Sequence, residues 1–485
     1  MLRLLVLLSL SSLAAGCANR ELAKHTPGER EGAALSASAS ASARGASRSV
    51  GPSASSLAPA PSFSEADWVV IRSLAPRPLP PPLPDPSNAK ADDPLAAALG
   101  EKLFHEARFS GRMLDEDNDG GPNTLGRVGD VAKVSCAGCH APKHGFSDTR
   151  SPFQEISLAT GWTVRRTPSL LDVGQVKLLG WGGRHSTLFG QVFTPLESPL
   201  EMNTSRLFVA QLVYQHYRGD YEAIFGAGTL AALADTRRFP RLTPETTGCR
   251  LTRKVTTPRA LPPDPVYACR GIPGDGADYD RLKADDKRLV TRVVTDVGKA
   301  IAAYLRRQTC GAGRFDAWVH GAPTALSPAE QRGLQSFIGR GKCVTCHSGP
   351  YFSDQRFHNV GVEERPTREG ILNANDRGAA VDLPLAAGED IGMNGPFSDG
   401  KDDRIPAELP AELEGAFRTP MLRCVRERPS YMHSGLIRSL DAAVAHFVRG
   451  GDRQGYPGRN VLQPVALSPD DVRDMVAFLR ALDGR

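Results

Sequence analysis

Leu95, Leu99 and Leu103 recur at helical spacing behind Asp92-Asp93-Pro94. A capping aspartate followed by proline in the first turn predicts that a helix opens there. A longer apolar stripe, Val290, Val293, Val294, Val297, Ile301 and Leu305, predicts a second and longer helix. Ser327-Pro-Ala-Glu330 is a capping box, and Ser468-Pro-Asp-Asp471 opens a further helix on which Val472, Met475, Val476 and Leu479 share a face. Alternating strand patterns are scarce. The pattern predicts a mainly α protein whose helices are joined by long Gly/Pro-rich loops. Such short helices bury too little core to stand alone, so a metal centre is expected to complete the interior.

The 485 residues are 40% apolar, which suits ordinary globular cores, and the length allows two to four domains. A net charge of +5 without a basic block gives no case for nucleic acid. At the N-terminus, Met1-Leu-Arg3, the apolar run Leu4 to Leu8 and Ser-Ser-Leu-Ala-Ala-Gly16-Cys17 have the layout of an export signal, too short to span a bilayer. Ala-Ala-Gly-Cys17 is similar to a bacterial lipobox, with Ala14 where Leu fits better. Residues 1–17 are therefore expected to be a lipoprotein-type signal, with the protein in the periplasm and attached to the membrane only through lipidated Cys17. The alternative is a plain signal cut elsewhere. The Ala/Ser-rich segment 18–62 reads as a flexible linker, and Pro76 to Pro86 as an extended surface stretch.

Cys136-Ala-Gly-Cys139-His140 and Cys343-Val-Thr-Cys346-His347 carry the strongest chemical signal. CxxCH attaches a c-type haem: the two thiols reach the two vinyl groups of one porphyrin, and the adjacent histidine becomes the proximal iron ligand. A zinc site built from two CxxC pairs leaves both trailing histidines unexplained. Two c-type haems follow. Each motif comes after a predicted helix, so the chain divides into two cytochrome c-like haem domains, 63–312 and 313–485, with an Arg/Pro/Thr-rich insertion at about 236–285. Of nine cysteines, Cys249, Cys269, Cys310 and Cys424 remain for pairing in an oxidising compartment. Three connectivities are open. Cys249 with Cys269 is the local choice, and Cys310 with Cys424 would then join the halves.

Leu99-Gly-Glu-Lys-Leu-Phe104, Arg108-Phe-Ser110, Gly145-Phe-Ser-Asp148, Arg166-Thr-Pro-Ser-Leu170, Trp181-Gly-Gly-Arg184, Gln191 to Pro195, Glu201-Met202, Phe352-Ser-Asp354, His358-Asn-Val-Gly361, Phe417 to Arg423, Tyr431-Met-His-Ser-Gly435 and Arg449-Gly-Gly451 follow in order around the two motifs. Over residues 92–482 the chain resembles the bacterial di-haem cytochrome c peroxidases, including the MauG-type enzymes. The resemblance implies a peroxidatic first haem and a second haem that takes electrons from a small cytochrome c or cupredoxin. It implies hydrogen peroxide as substrate and, as a possibility, a homodimer. By the same resemblance Glu201 is the acid/base on the open face of the first haem, Gln191 positions, Pro195 lies between them, and Trp181 stands between the haems. A carboxyl in an apolar pocket has a raised pKa and can move a proton between peroxide oxygens, whereas an amide can only hydrogen-bond.

The family's ligands are partly absent here. Where peroxidase members have a histidine over the first haem, Ser157-Leu-Ala-Thr160-Gly-Trp162 offers Thr160, so this haem is expected to be open at rest. His144 is expected at the surface or against a propionate. The second haem's sixth ligand, counted from His433, falls on Phe447, which has no lone pair. Either that iron is five-coordinate or a neighbour serves, with His446, Met432 and Met421 as candidates. At the family's calcium positions stand Arg166, Arg428 and Ser430, and arginine cannot ligate calcium. No such site is expected, with guanidinium charge in its place, and Arg418 and Arg423 are further candidates for pairing with propionates. A MauG-type oxidase acting on a protein or organic substrate is the alternative reading.

Overall fold

The computed structural model of the chain describes residues 59–150, 156–251, 267–268, 279, 281–364 and 375–485. The expected signal, most of the linker and Cys269 lie outside the described residues. Among these residues the helices are α1 Glu65–Leu74, α2 Pro94–Phe104, α3 Cys136–Cys139, α4 Leu188–Glu197, α5 Arg206–His216, α6 Arg218–Phe225, α7 Ala284–Leu305, α8 Arg314–Val319, α9 Pro328–Ile338, α10 Ala379–Ala387, α11 Leu440–Val448 and α12 Pro469–Arg480. Strands among the described residues are limited to two short antiparallel pairs, β1 Arg250–Leu251 with β2 Tyr267–Ala268, and β3 Phe357–His358 with β4 Phe417–Arg418. No helix among the described residues is long and apolar enough to cross a membrane.

The predicted starts are where the capping chemistry puts them. Asp93 accepts from the N–H of Leu95 at 2.8 Å and of Ala96 at 3.2 Å. Ser327 with Glu330, and Ser468 with Asp471, form reciprocal capping boxes. The same device then recurs in the two halves of the molecule. In the first, α2 lies against α7 so closely that a Cβ on Gly100 would fall 1.9 Å from the carbonyl oxygen of Ala300. In the second, α9 lies against α12, and a Cβ on Gly333 would fall 2.0 Å from the carbonyl oxygen of Asp474. In each half the helix that leads toward a CxxCH motif crosses a later helix at a glycine.

Two main apolar clusters surround these crossings. One gathers α2, α4, α5 and α7, with Phe104, Phe189 and Val297 at its centre. The other gathers α8, α9, α11 and α12 around Phe315, Phe337, Phe352 and Phe478. Helix α1 departs from the sequence expectation. Although it precedes the first motif, Ile71 and Leu74 are fully buried in the second cluster. Its apolar spacing announces a buried face but not which core receives it.

The stretch after α1 is extended, as its prolines dictate, and is held by both halves. The side chain of Gln175 donates to the Pro81 carbonyl at 2.8 Å, and Tyr351 Oη donates to the Pro80 carbonyl at 2.6 Å. A proline-rich strap suits this role because it offers acceptors and leaves few donors to satisfy. Cys310 and Cys424 form a disulfide with Cα atoms 5.8 Å apart. Cys249 is also disulfide-bonded. Arg423 corrects one expectation: its buried guanidinium donates to both Asp316 oxygens at 2.8 Å, so its charge is neutralised inside the protein.

Candidate haem cavity

A cavity of about 960 Å³ reaches from Cys136, Cys139 and His140 to Cys343, Cys346 and His347. The two histidines are oriented in the same way. His140 Nδ1 lies 3.2 Å from the carbonyl of Phe146, and His347 Nδ1 lies 2.9 Å from that of Phe352. An Nδ1–H donated to a carbonyl fixes the tautomer and leaves Nε2 as the basic nitrogen that can face a metal. Both carbonyls belong to a Phe-Ser-Asp run, and both phenylalanines have φ of +55°. Desolvation lowers the pKa of His140 and pushes that of His347 down to about 4, which keeps each ring neutral as a ligand must be.

Helix α4 forms one wall of the first-half end. Thr187 caps it, accepting from the Gly190 N–H at 3.0 Å. Gln191, Val192, Thr194 and Pro195 line the cavity. Pro195 has no N–H to offer the carbonyl of Gln191 one turn earlier, which relaxes the helix where the amide projects. Gln191 Oε1 is buried with no protein partner. Glu201 lies on the loop after α4 and lines the same space. Desolvation pushes its carboxyl up to about 7, against opposing pulls from Arg184 and the Ser198 hydroxyl. Thr160 is fully buried and is not part of the lining: its hydroxyl donates to the Pro199 carbonyl.

Trp181 lines the cavity and links residues far apart in the chain. Its Nε1–H donates to the Arg166 carbonyl at 2.7 Å, and its carbonyl accepts from the Arg418 N–H at 2.8 Å. Arg166, Arg418 and Arg428 converge here on the lining. Arg166 reaches the Ser430 hydroxyl, and Arg428 donates to the Met421 carbonyl. Nε and Nη1 of Arg418 and Nε of Arg428 are buried without a protein partner. Burial, then the neighbouring Arg428 charge, pushes Arg166 and Arg418 each down to about 10. Buried guanidinium N–H groups without carboxylates are costly unless an anion meets them. Haem propionates are anions of the right kind, so the donor set fits two haems. The positions expected to replace calcium thus bring guanidinium charge together.

Phe447, Val444, Leu462, Val465 and Met475 also line the cavity, as do Met432 and Met421. His446 is turned away from the cavity. Its Nε2 lies 2.9 Å from the Val360 carbonyl and its Nδ1 3.1 Å from Arg449, so neither ring nitrogen is available to an iron. His144 is exposed. Sequence reasoning did not find His185 and Glu389, which meet at 2.5 Å beside the cavity across a separation of 204 residues. No local spacing could have signalled that pair.

Residues 94–243 match the family described as di-haem cytochrome c peroxidase. The methylamine utilization protein MauG of Methylorubrum extorquens is 26% identical over 424 residues, covering 86% of each chain. The cytochrome-c peroxidase IdrP1 of Denitromonas iodatirespirans is 28% identical, covering 83% of this chain and 85% of its own. The cytochrome c551 peroxidase of Pseudomonas aeruginosa is 27% identical, covering 83% and 84%. Among solved structures, the diheme peroxidase BthA of Burkholderia thailandensis superposes with a TM-score of 0.53 at 23% identity, covering 82% of this chain and 88% of its own, a likeness of fold.

Proposed function

We propose that the chain, whose residues 94–243 match the di-haem cytochrome c peroxidase family, reduces hydrogen peroxide to water, using electrons from a small cytochrome c or cupredoxin, at a first haem that is open at rest. The carrying observation is that Glu201, its pKa pushed to about 7, and Gln191, its amide oxygen buried without a protein partner, line the same cavity as the His140 motif. In this reading Cys136, Cys139 and His140 hold one haem and Cys343, Cys346 and His347 the other, in two cytochrome c-like domains. The bound haems supply the redox-active iron. Glu201 accepts a proton from the nearer peroxide oxygen and returns it to the farther one, the transfer that O–O cleavage requires. Gln191 holds the peroxide by hydrogen bonds but moves no proton. Arg166, Arg418 and Arg428 grip the propionates, and Trp181 lies on the line between the two sites.

The Thr160 hydroxyl, off the cavity lining and spent on the Pro199 carbonyl, supports an uncapped first site. The export signal supports a periplasmic protein tethered through Cys17, and dimerisation is part of the proposal by family likeness. A second reading, a MauG-type oxidase of a protein or organic substrate, is favoured by one observation: apolar Phe447 lines the cavity while His446 faces away. Steady consumption of peroxide with a reduced small cytochrome is the expected result for the first reading. The oxidised protein should show a high-spin electron paramagnetic resonance signal that responds to peroxide without prior reduction. Two low-spin signals, inert to peroxide, would sink it.

A further inference from the structure

Peroxide reduction consumes two protons for every two electrons. Glu201 can move a proton from one oxygen to the other, but net protons must enter from water. The described residues provide one continuous set of exchangeable groups that ends on the same wall. His185 Nδ1 lies 2.5 Å from Glu389 Oε1, and His185 Nε2 lies 3.0 Å from Thr194 Oγ1. The imidazole side chain is 8% exposed and the Glu389 side chain 15%, so the set opens toward solvent at the carboxylate. Thr194 sits one turn beyond Gln191 on α4, and His185, Thr194, Gln191 and Glu201 line one cavity.

The carboxylate is fixed from its other side. Ser186 donates to Glu389 Oε2 through its N–H at 3.2 Å and its hydroxyl at 3.3 Å, and the same hydroxyl accepts from the Met393 N–H at 2.9 Å. Glu389 therefore presents Oε1 to the imidazole in one orientation, and His185 presents its second nitrogen to the hydroxyl. Each of the three side chains can both accept and release a proton. This distinguishes the set from Arg–carboxylate pairs such as Arg423–Asp316, which hold charge but pass none.

We infer that Glu389, His185 and Thr194 form the proton-entry relay for peroxide reduction, an inference that rests on the peroxidase reading above. Glu389 takes a proton from water and gives it to Nδ1. Nε2–H gives its proton to the Thr194 hydroxyl, which releases its own into the cavity, and the groups then return by rotation. Only O–H and N–H bonds form and break along the relay. The overall balance is H2O2 + 2 H⁺ + 2 e⁻ → 2 H2O, with the electrons from the redox-protein donor. These residues are positioned to supply protons and do not touch the peroxide.

The test uses the haem-loaded protein with reduced cytochrome, peroxide and a pH-indicator dye in stopped flow. Thr194→Val, Glu389→Gln and His185→Gly should each slow proton uptake and kcat about tenfold or more, within the range for a lost proton-transfer group. KM for peroxide and the absorption spectrum of the oxidised protein should stay at their wild-type values. Thr194→Ser should restore the rate, and added imidazole should rescue His185→Gly. Wild-type proton uptake in Thr194→Val or Glu389→Gln, or a rate loss in Thr194→Val that serine does not repair, overturns the relay while leaving the peroxidase reading intact. A wild-type protein that does not turn over peroxide overturns that reading, and the relay with it.

Discussion

Glu201 and Gln191 line the same cavity but offer different chemistry, because only one of them can ionise. With its pKa held near 7, Glu201 is ionised above that pH and can then accept a proton from incoming peroxide. Below it the protonated carboxyl has nothing to accept with. kcat/KM for peroxide should therefore fall as pH drops through about 7, and Glu201→Gln should abolish this acid limb while lowering kcat about 10²–10⁴-fold. The same shift has a stability signature. The carboxyl titrates at 4.5 when unperturbed and at about 7 in the fold, so its stabilising contribution is complete below 4.5 and is lost as pH rises through 7. A melting series should show Glu201→Gln flattening the Tm profile across that window. Residue-scale reasoning from sequence named Glu201, Gln191, Trp181 and Arg418, since each stands in a recognisable motif, and all four line the cavity. It assigned Arg423 to the propionates because a motif shows a residue's type and not its partner, here Asp316, a residue 107 positions away.

At the scale of elements, the two glycine crossings separate local propensity from packing. Alanine at an exposed helix position would gain up to about 1 kcal/mol over glycine. Gly100→Ala and Gly333→Ala should do the opposite, because the added Cβ would lie 1.9 Å from Ala300 O and 2.0 Å from Asp474 O. Parting the helices to admit it costs roughly 1–3 kcal/mol, so denaturant midpoints should drop for both variants. An unchanged or raised midpoint would mean that the crossings are loose. The helices themselves were legible: Asp93, Ser327 and Ser468 cap where local hydrogen-bond chemistry requires, and the Val290-to-Leu305 stripe lies within α7. What faces what was not. Nothing in the spacing of Ile71 and Leu74 tells that α1 docks into the second cluster, with Trp68 stacked on Trp318 of α8, because a periodic face selects burial and leaves the partner to tertiary packing.

At the scale of the molecule, the halves are joined by the proline strap, Trp181 and the Cys310–Cys424 disulfide. That bridge closes 114 residues, so Cys310→Ser with Cys424→Ser should lower stability by about 2–4 kcal/mol, read from denaturant unfolding under oxidising conditions. Stability equal to wild type would show that the other ties suffice. The cavity between the halves has a consequence for how the protein comes into being. A void of about 960 Å³ edged by the buried, unanswered guanidinium nitrogens of Arg418 and Arg428 is a poor interior for a polypeptide by itself. On the proposed reading haem propionates meet those nitrogens, so a chain denied haem should unfold at lower denaturant and be cut faster by added protease than the loaded protein.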